Sequence, residues 1–220
     1  DTITLGERLR KKQYRSDVLY RQPPEELFHA PMVLFSRGFD KVAYCNFDVL
    51  FQHSLRSIKG PYEDANFLMF LAAYLRSNLA RYFLFHTSSS WGSERDQVHL
   101  EEVLRVPFPL PGSEFASADS KKIVEQVARL IKQLQQTLQD SLNDINEITK
   151  HHTPVGIDDL IMHKWLQARK RQTDKLNNEL NLLIYRYFGL TEQEKIIVED
   201  TIHVFEPSST PTTWRTPKTL

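Results

Sequence analysis

A chain of 220 residues with 40% apolar and 25% charged side chains can bury a sizeable core. Its 28 Lys and Arg balance 28 Asp and Glu, which excludes a uniformly basic coat, so any anion-binding surface has to be local. The single Cys45 rules out an internal disulfide, and no uncharged apolar run is long enough to span a bilayer, so a cytoplasmic protein without a membrane partner is expected.

In chain order, Arg8-Leu-Arg-Lys-Lys-Gln-Tyr-Arg15 is a basic run ahead of the Pro23-Pro24 break. It reads as a solvated face or as a phosphate-contacting arm, with Arg10, Lys11 and Lys12 as the candidate contacts. Met32 to Ser36 predicts a short strand, Arg37-Gly-Phe-Asp40 a turn with Gly38 free to take positive φ, and Lys41 to Phe51 the returning strand. Gln52 to Ile58 predicts a third strand before Gly60-Pro61. From Phe67 to Phe83 apolar residues recur every three or four positions around a wide face, which predicts one buried helix. A polar segment, His86 to Asp96, follows it, and Pro107-Phe-Pro-Leu-Pro111 then forces an extended exit.

Beyond Pro111-Gly112-Ser113 the pattern changes. Val124, Val127, Ile131, Leu134, Leu138, Ser141, Ile145 and Ile148 form a heptad seam in a stretch without Pro or Gly, so a long helix with a coiled-coil partner is expected. Gln135, on a polar face, is expected to matter little. Asp158 to Phe188 is a second helical stretch with its seam at Leu176, Leu180, Leu183, Ile184 and Tyr187, so the pair should form an antiparallel hairpin. Gly189 ends it as a C′ glycine, and Thr191-Glu-Gln-Glu194 is a capping box for a short acidic helix. The tail after Phe205 has linker composition, and with Asp1 in the first position the chain reads as a piece of a longer polypeptide.

The expected fold class is α+β: a small twisted β-containing domain on a buried helix (1–112), a helical hairpin spacer (113–190), and a short acidic helix with a flexible tail (191–220). No catalytic constellation stands out. Seven isolated glycines cannot build a nucleotide loop, and His151-His152 has no partner at metal-ligand spacing. Cys45 reads as an inert core thiol, and Ser88-Ser-Ser90 has only His86 nearby as a base.

Three stretches carry a resemblance. Phe70-Leu-Ala-Ala-Tyr-Leu-Arg-Ser-Asn-Leu-Ala-Arg-Tyr-Phe83 and Leu104-Arg-Val-Pro-Phe-Pro-Leu-Pro111 resemble the target-recognition domain of adenine-specific (N6) DNA methyltransferases of type I and type IIG restriction-modification systems. Leu182-Leu-Ile-Tyr-Arg-Tyr-Phe-Gly-Leu-Thr-Glu-Gln-Glu-Lys-Ile-Ile-Val198 looks like the end of the helical spacer that follows such a domain. The resemblance implies a module that reads double-stranded DNA and positions a methyltransferase domain supplied in cis or by a subunit in trans, with self-association through the hairpin as a further expectation. The family's Asn/Asp-Pro-Pro-aromatic signature is missing; Gln22-Pro-Pro-Glu25 lacks both the amide or acid and the aromatic. The S-adenosylmethionine loop is missing as well, so that cofactor is expected for the parent enzyme and none for this chain.

Under this reading Lys, Arg and Ser side chains hold phosphates while loops read base edges. The candidates are Arg37 in the first turn, and Ser89, Ser90, Trp91, Ser93 and Arg95 in the loop after the buried helix. Arg95 either donates to guanine or pairs with Glu94 or Asp96; Trp91 either lids the loop's own core or stacks on a base. The alternative is a non-catalytic coiled-coil scaffold without DNA binding.

Overall fold

The structure, a computed structural model, describes residues 24–39, 41–51, 54–89, 97–151 and 159–204; for the distal half of the helical hairpin it describes the helices but few side chains. It is an α+β fold: a three-stranded antiparallel sheet packed on helices. The strands are β1 (Met32–Ser36), β2 (Val42–Cys45) and β3 (Leu55–Lys59), in the order β2-β1-β3. β1 is central because Met32-Val-Leu-Phe35 is apolar at every position and can be buried on both faces. Val33 and Phe35 face the main core, while Met32 and Leu34 join Cys45 in a smaller cluster closed by Val49 and Phe51. β2 stops at Cys45, well short of the strand expected through Phe51. The Asp48 carboxylate instead accepts from His29 Nδ1 and the Ala30 amide, both at 2.8 Å, and pulls the chain away from β1. In the β1–β2 turn the positive φ falls on Phe39, at 57°, rather than on Gly38. Phe39 is buried against Phe35, with ring centroids 5.4 Å apart. That burial stabilises a backbone conformation a bulky residue otherwise avoids.

The single helix expected over 67–83 is two: α1 (Ala65–Arg76) and α2 (Asn78–Thr87), broken at Ser77. Ser77 is buried and extended (ψ 158°); its hydroxyl donates to Tyr74 O at 2.6 Å and accepts from the Ala80 amide at 3.3 Å. One side chain thus supplies the groups an unbroken helix would have paired, and caps the new one. α1 is buried on most sides, as its wide apolar face requires.

A four-residue helix, α3 (Leu100–Val103), leads into the proline segment. Its three prolines lack an N–H, so at those positions only the carbonyl needs a partner. Tyr74 and Tyr187 hydroxyls donate to Pro107 O and Pro109 O, each at 2.6 Å. Phe108 points inward between them, 5.2 Å from the Phe67 ring and 5.6 Å from that of Tyr74. Burial raises both tyrosine pKa values, that of Tyr187 to about 12, so the hydroxyls stay donors.

α4 (Ser120–His151) and α5 (Asp159–Tyr187) form the hairpin. The Ser117 amide meets Tyr187 O at 3.0 Å, Arg186 pairs with Asp119, and Gln172 reaches Thr137 at 3.5 Å, so the helices run antiparallel. Of the proximal seam, Val124, Val127 and Ile131 are buried in the same core as α1 and β2, and Leu134 is buried one turn further on. α1 covers that half of the seam along with α5, so a coiled-coil partner is not its only cover. The core is therefore continuous across residue 112. Seam residues Leu138, Ser141, Ile145 and Ile148 lie outside the described side chains.

Gly189 has φ 66° and ends α5 in a Schellman motif, with Leu190 N–H to Tyr185 O at 3.0 Å and Gly189 N–H to Arg186 O at 3.1 Å. The Thr191 amide donates to Glu194 Oε2 at 2.7 Å and the Glu194 amide returns to Thr191 Oγ1 at 3.3 Å, starting α6 (Glu192–Val204). α6 packs on α2, where Asn78 donates to Glu199 at 2.9 Å.

Candidate nucleic-acid interface

Arg37 stands exposed at the end of β1, beside the ladder to β3: its amide donates to Ser54 O at 3.2 Å. Its carbonyl accepts from the Val98 amide at 2.7 Å. Val98 is the first apolar residue after the polar segment 86–96, and it is fully buried. The Arg37 turn therefore meets the chain at Val98, two residues beyond the polar segment, at one end of the sheet. Arg56 of β3 joins them. It pairs with Phe35 across the ladder, on the core-facing side with Ile58, and its Nη1 donates to Val98 O at 3.2 Å. Burial, and then the nearby charge of Arg37, lower its pKa, though an arginine stays protonated at neutral pH. Two cations thus flank the point where the loop rejoins the core.

The other end of the loop is held by Glu102 on α3. Its carboxylate accepts from Ser88 Oγ at 2.8 Å, the Ser89 amide at 2.8 Å, Ser89 Oγ at 3.1 Å and the His99 amide at 2.7 Å. Donors from both sides of residues 90–96 converge on one buried acid. Burial by itself would raise its pKa, but the bonds from the Ser89 and His99 amides and the two serine hydroxyls outweigh it and bring the value to about 2. The loop is thereby closed at its base, with Ser89 fixed on one side and His99 on the other.

Of the candidate residues, Arg37 and Ser89 are in this arrangement. Ser90, Trp91, Ser93 and Arg95, with Arg10, Lys11 and Lys12, lie outside the described residues. Sequence reasoning missed Glu102 and Arg56. The spacing of Glu102 three residues after His99 was the available signal for the first, and a cation at the core-facing position two before Ile58 for the second.

Among the described residues the geometry offers no activated nucleophile. The Ser88 hydroxyl is engaged by Glu102, while His86 packs against Tyr82 at 4.5 Å and Phe85 at 5.2 Å. Cys45 is buried, and burial pushes its thiol pKa up, which disfavours the reactive thiolate. Among the described residues, no three His, Cys, Asp or Glu side chains are grouped to hold a metal ion, and no helix is long and apolar enough to cross a membrane. No protein-family profile matches the chain, and neither a curated protein nor a solved structure does.

Proposed function

We propose that this chain is the DNA target-recognition module of an adenine-N6 DNA methyltransferase of a type I or type IIG restriction-modification system. It would bind double-stranded DNA and position a catalytic domain located elsewhere, in cis or on another subunit. S-adenosylmethionine belongs to that catalytic domain. The observation that carries the reading is the convergence of the Arg37 turn with a loop clamped at both ends by Glu102, flanked by Arg37 and Arg56. A polar loop on a rigid base, with guanidiniums beside it, suits base reading and phosphate contact together. The scaffold alternative rests on the zero net charge and the heptad seam. Burial of Val124, Val127 and Ile131 in the chain's own core counts against it over that half.

The test uses the parent enzyme. Arg95→Ala should cost about 1–3 kcal/mol on the cognate site and far less on random DNA if it reads a guanine. Replacing Arg10, Lys11 and Lys12 by Ala should weaken binding to all sequences alike and flatten the salt dependence by a slope of about one for each phosphate that the variant no longer neutralises. Unchanged site preference in the Arg95 variant would move the reading role to Arg37. Unchanged preference in both single variants would remove the proposal.

A further inference from the structure

At the opposite edge of the sheet, β2 and α4 enclose a groove of about 520 Å³, within the size range of binding clefts. Its backbone chemistry follows from the ladder. The Ser36 amide donates to Lys41 O at 2.9 Å, which makes that facing pair hydrogen-bonded. Alternation along the register then leaves Phe35↔Val42 and Val33↔Tyr44 as non-hydrogen-bonded pairs, so Val42 and Tyr44 turn their N–H and C=O groups away from β1. One of these groups, Tyr44 O, accepts from Gln135 Nε2 on α4 at 3.1 Å. Among the described residues the Tyr44 N–H and both Val42 groups have no partner.

The groove walls add charge. Arg76, at the end of α1, and Lys132 on α4 both line it, and none of the lining residues is acidic. Neither cation has a carboxylate partner among the described residues. Ile131 and Leu134 supply an apolar floor, and Phe47 at the mouth is 59% exposed. The Gln135 bond to Tyr44 O already shows a carboxamide pairing with this edge, and Gln139 lines the same wall.

We propose that this groove receives an extended acidic segment of a partner protein, laid along β2. Free strand-edge groups call for an extended backbone, the two unpaired cations call for carboxylates, and the floor takes an apolar side chain between them. The site lies along the β2 edge, with the central strand between it and Arg56 on β3, and stands whether or not the Arg37–Val98 surface binds DNA.

The experiment measures fluorescence anisotropy of a labelled nonapeptide alternating valine with glutamate around a central phenylalanine, titrated with the full chain. A second peptide carries lysine in place of each glutamate. The acidic peptide should bind in the micromolar range and perturb the backbone amide signals of Val42 and Tyr44, while the lysine peptide should not bind. Lys132 is exposed, so Lys132→Glu leaves the packing intact and should weaken the acidic peptide by at least about tenfold. Failure of the acidic peptide to bind, equal binding of both peptides, or indifference to Lys132→Glu would each overturn the proposal. Displacement of the peptide by duplex DNA, with the same dependence on Lys132, would also overturn it and make the groove a nucleic-acid surface.

Discussion

Replacing Glu102 by Gln keeps the shape of the side chain and removes the charge that gathers the loop. The native carboxylate accepts four bonds, two of them from the Ser89 and His99 amides. A carboxamide has one acceptor oxygen, and its NH₂ would face an amide donor. Bonds to a charged acceptor contribute about 1.5–3 kcal/mol each, but donors at the loop base regain water, so a net loss of about 2 kcal/mol is expected at pH 7. The carboxyl pKa is about 2 in the folded chain against 4.5 unperturbed, so this contribution is present above about pH 4.5 and fades as pH falls toward 2. Urea unfolding of both proteins at a series of pH values measures it. The stability gap should be full at neutral pH and close through the acid range, and amide exchange at Ser89 and His99 should quicken in the variant at neutral pH. Equal midpoints at pH 7, or a gap that stays constant into the acid range, would refute the assignment of the loop clamp to this carboxylate.

Leu134→Ala should cost about 2–4 kcal/mol in thermal or urea melts, because the side chain is buried. Gln135→Ala should cost about 1 kcal/mol rather than nothing, since it uncaps Tyr44 O at the sheet edge; a neutral result would place that bond in solvent. Tyr187→Phe should cost about 1–1.5 kcal/mol by leaving Pro109 O without its donor, and an unchanged melt would mean that water replaces the hydroxyl. Gly189→Ala meets no atom within 4 Å, so its expected cost of about 1 kcal/mol is purely that of a left-handed backbone, and Gly189→Asn should recover part of it.

Local chemistry was legible. The all-apolar run of β1, the C′ glycine at 189 and the Thr191–Glu194 box each state their conformation within a few residues, and each is where the spacing put it. Ser77 was harder. Apolar periodicity continues on both sides of it, and only its burial, with the hydroxyl satisfied at Tyr74 and Ala80, makes a break cheaper than an unbroken helix. β2 was overread for a similar reason: Phe47, Val49 and Phe51 have strand propensity, but Asp48 is tied to His29 and Ala30, residues that precede β1.

The long helix shows the limit most clearly. An apolar stripe with heptad spacing specifies that something covers it, and says nothing of what. Val124, Val127 and Ile131 would read the same against a coiled-coil partner as they do against α1, because both present an apolar ridge to the same groove. The information that decides between them lies in Tyr187 and Tyr74, whose hydroxyls reach the carbonyls of Pro109 and Pro107. Those bonds lay the proline segment along α1 and the end of α5, and α4 starts beside that end, where Ser117 meets Tyr187 O. Glu102 is invisible for the same reason in miniature. Its nearest partner, His99, is three residues away, but Ser88 and Ser89 lie beyond the loop, and nothing in a linear pattern says that the loop returns. The residues that shape this surface are thus an acid that gathers Ser88, Ser89 and His99, and an arginine that holds Val98 O where the chain returns to the sheet.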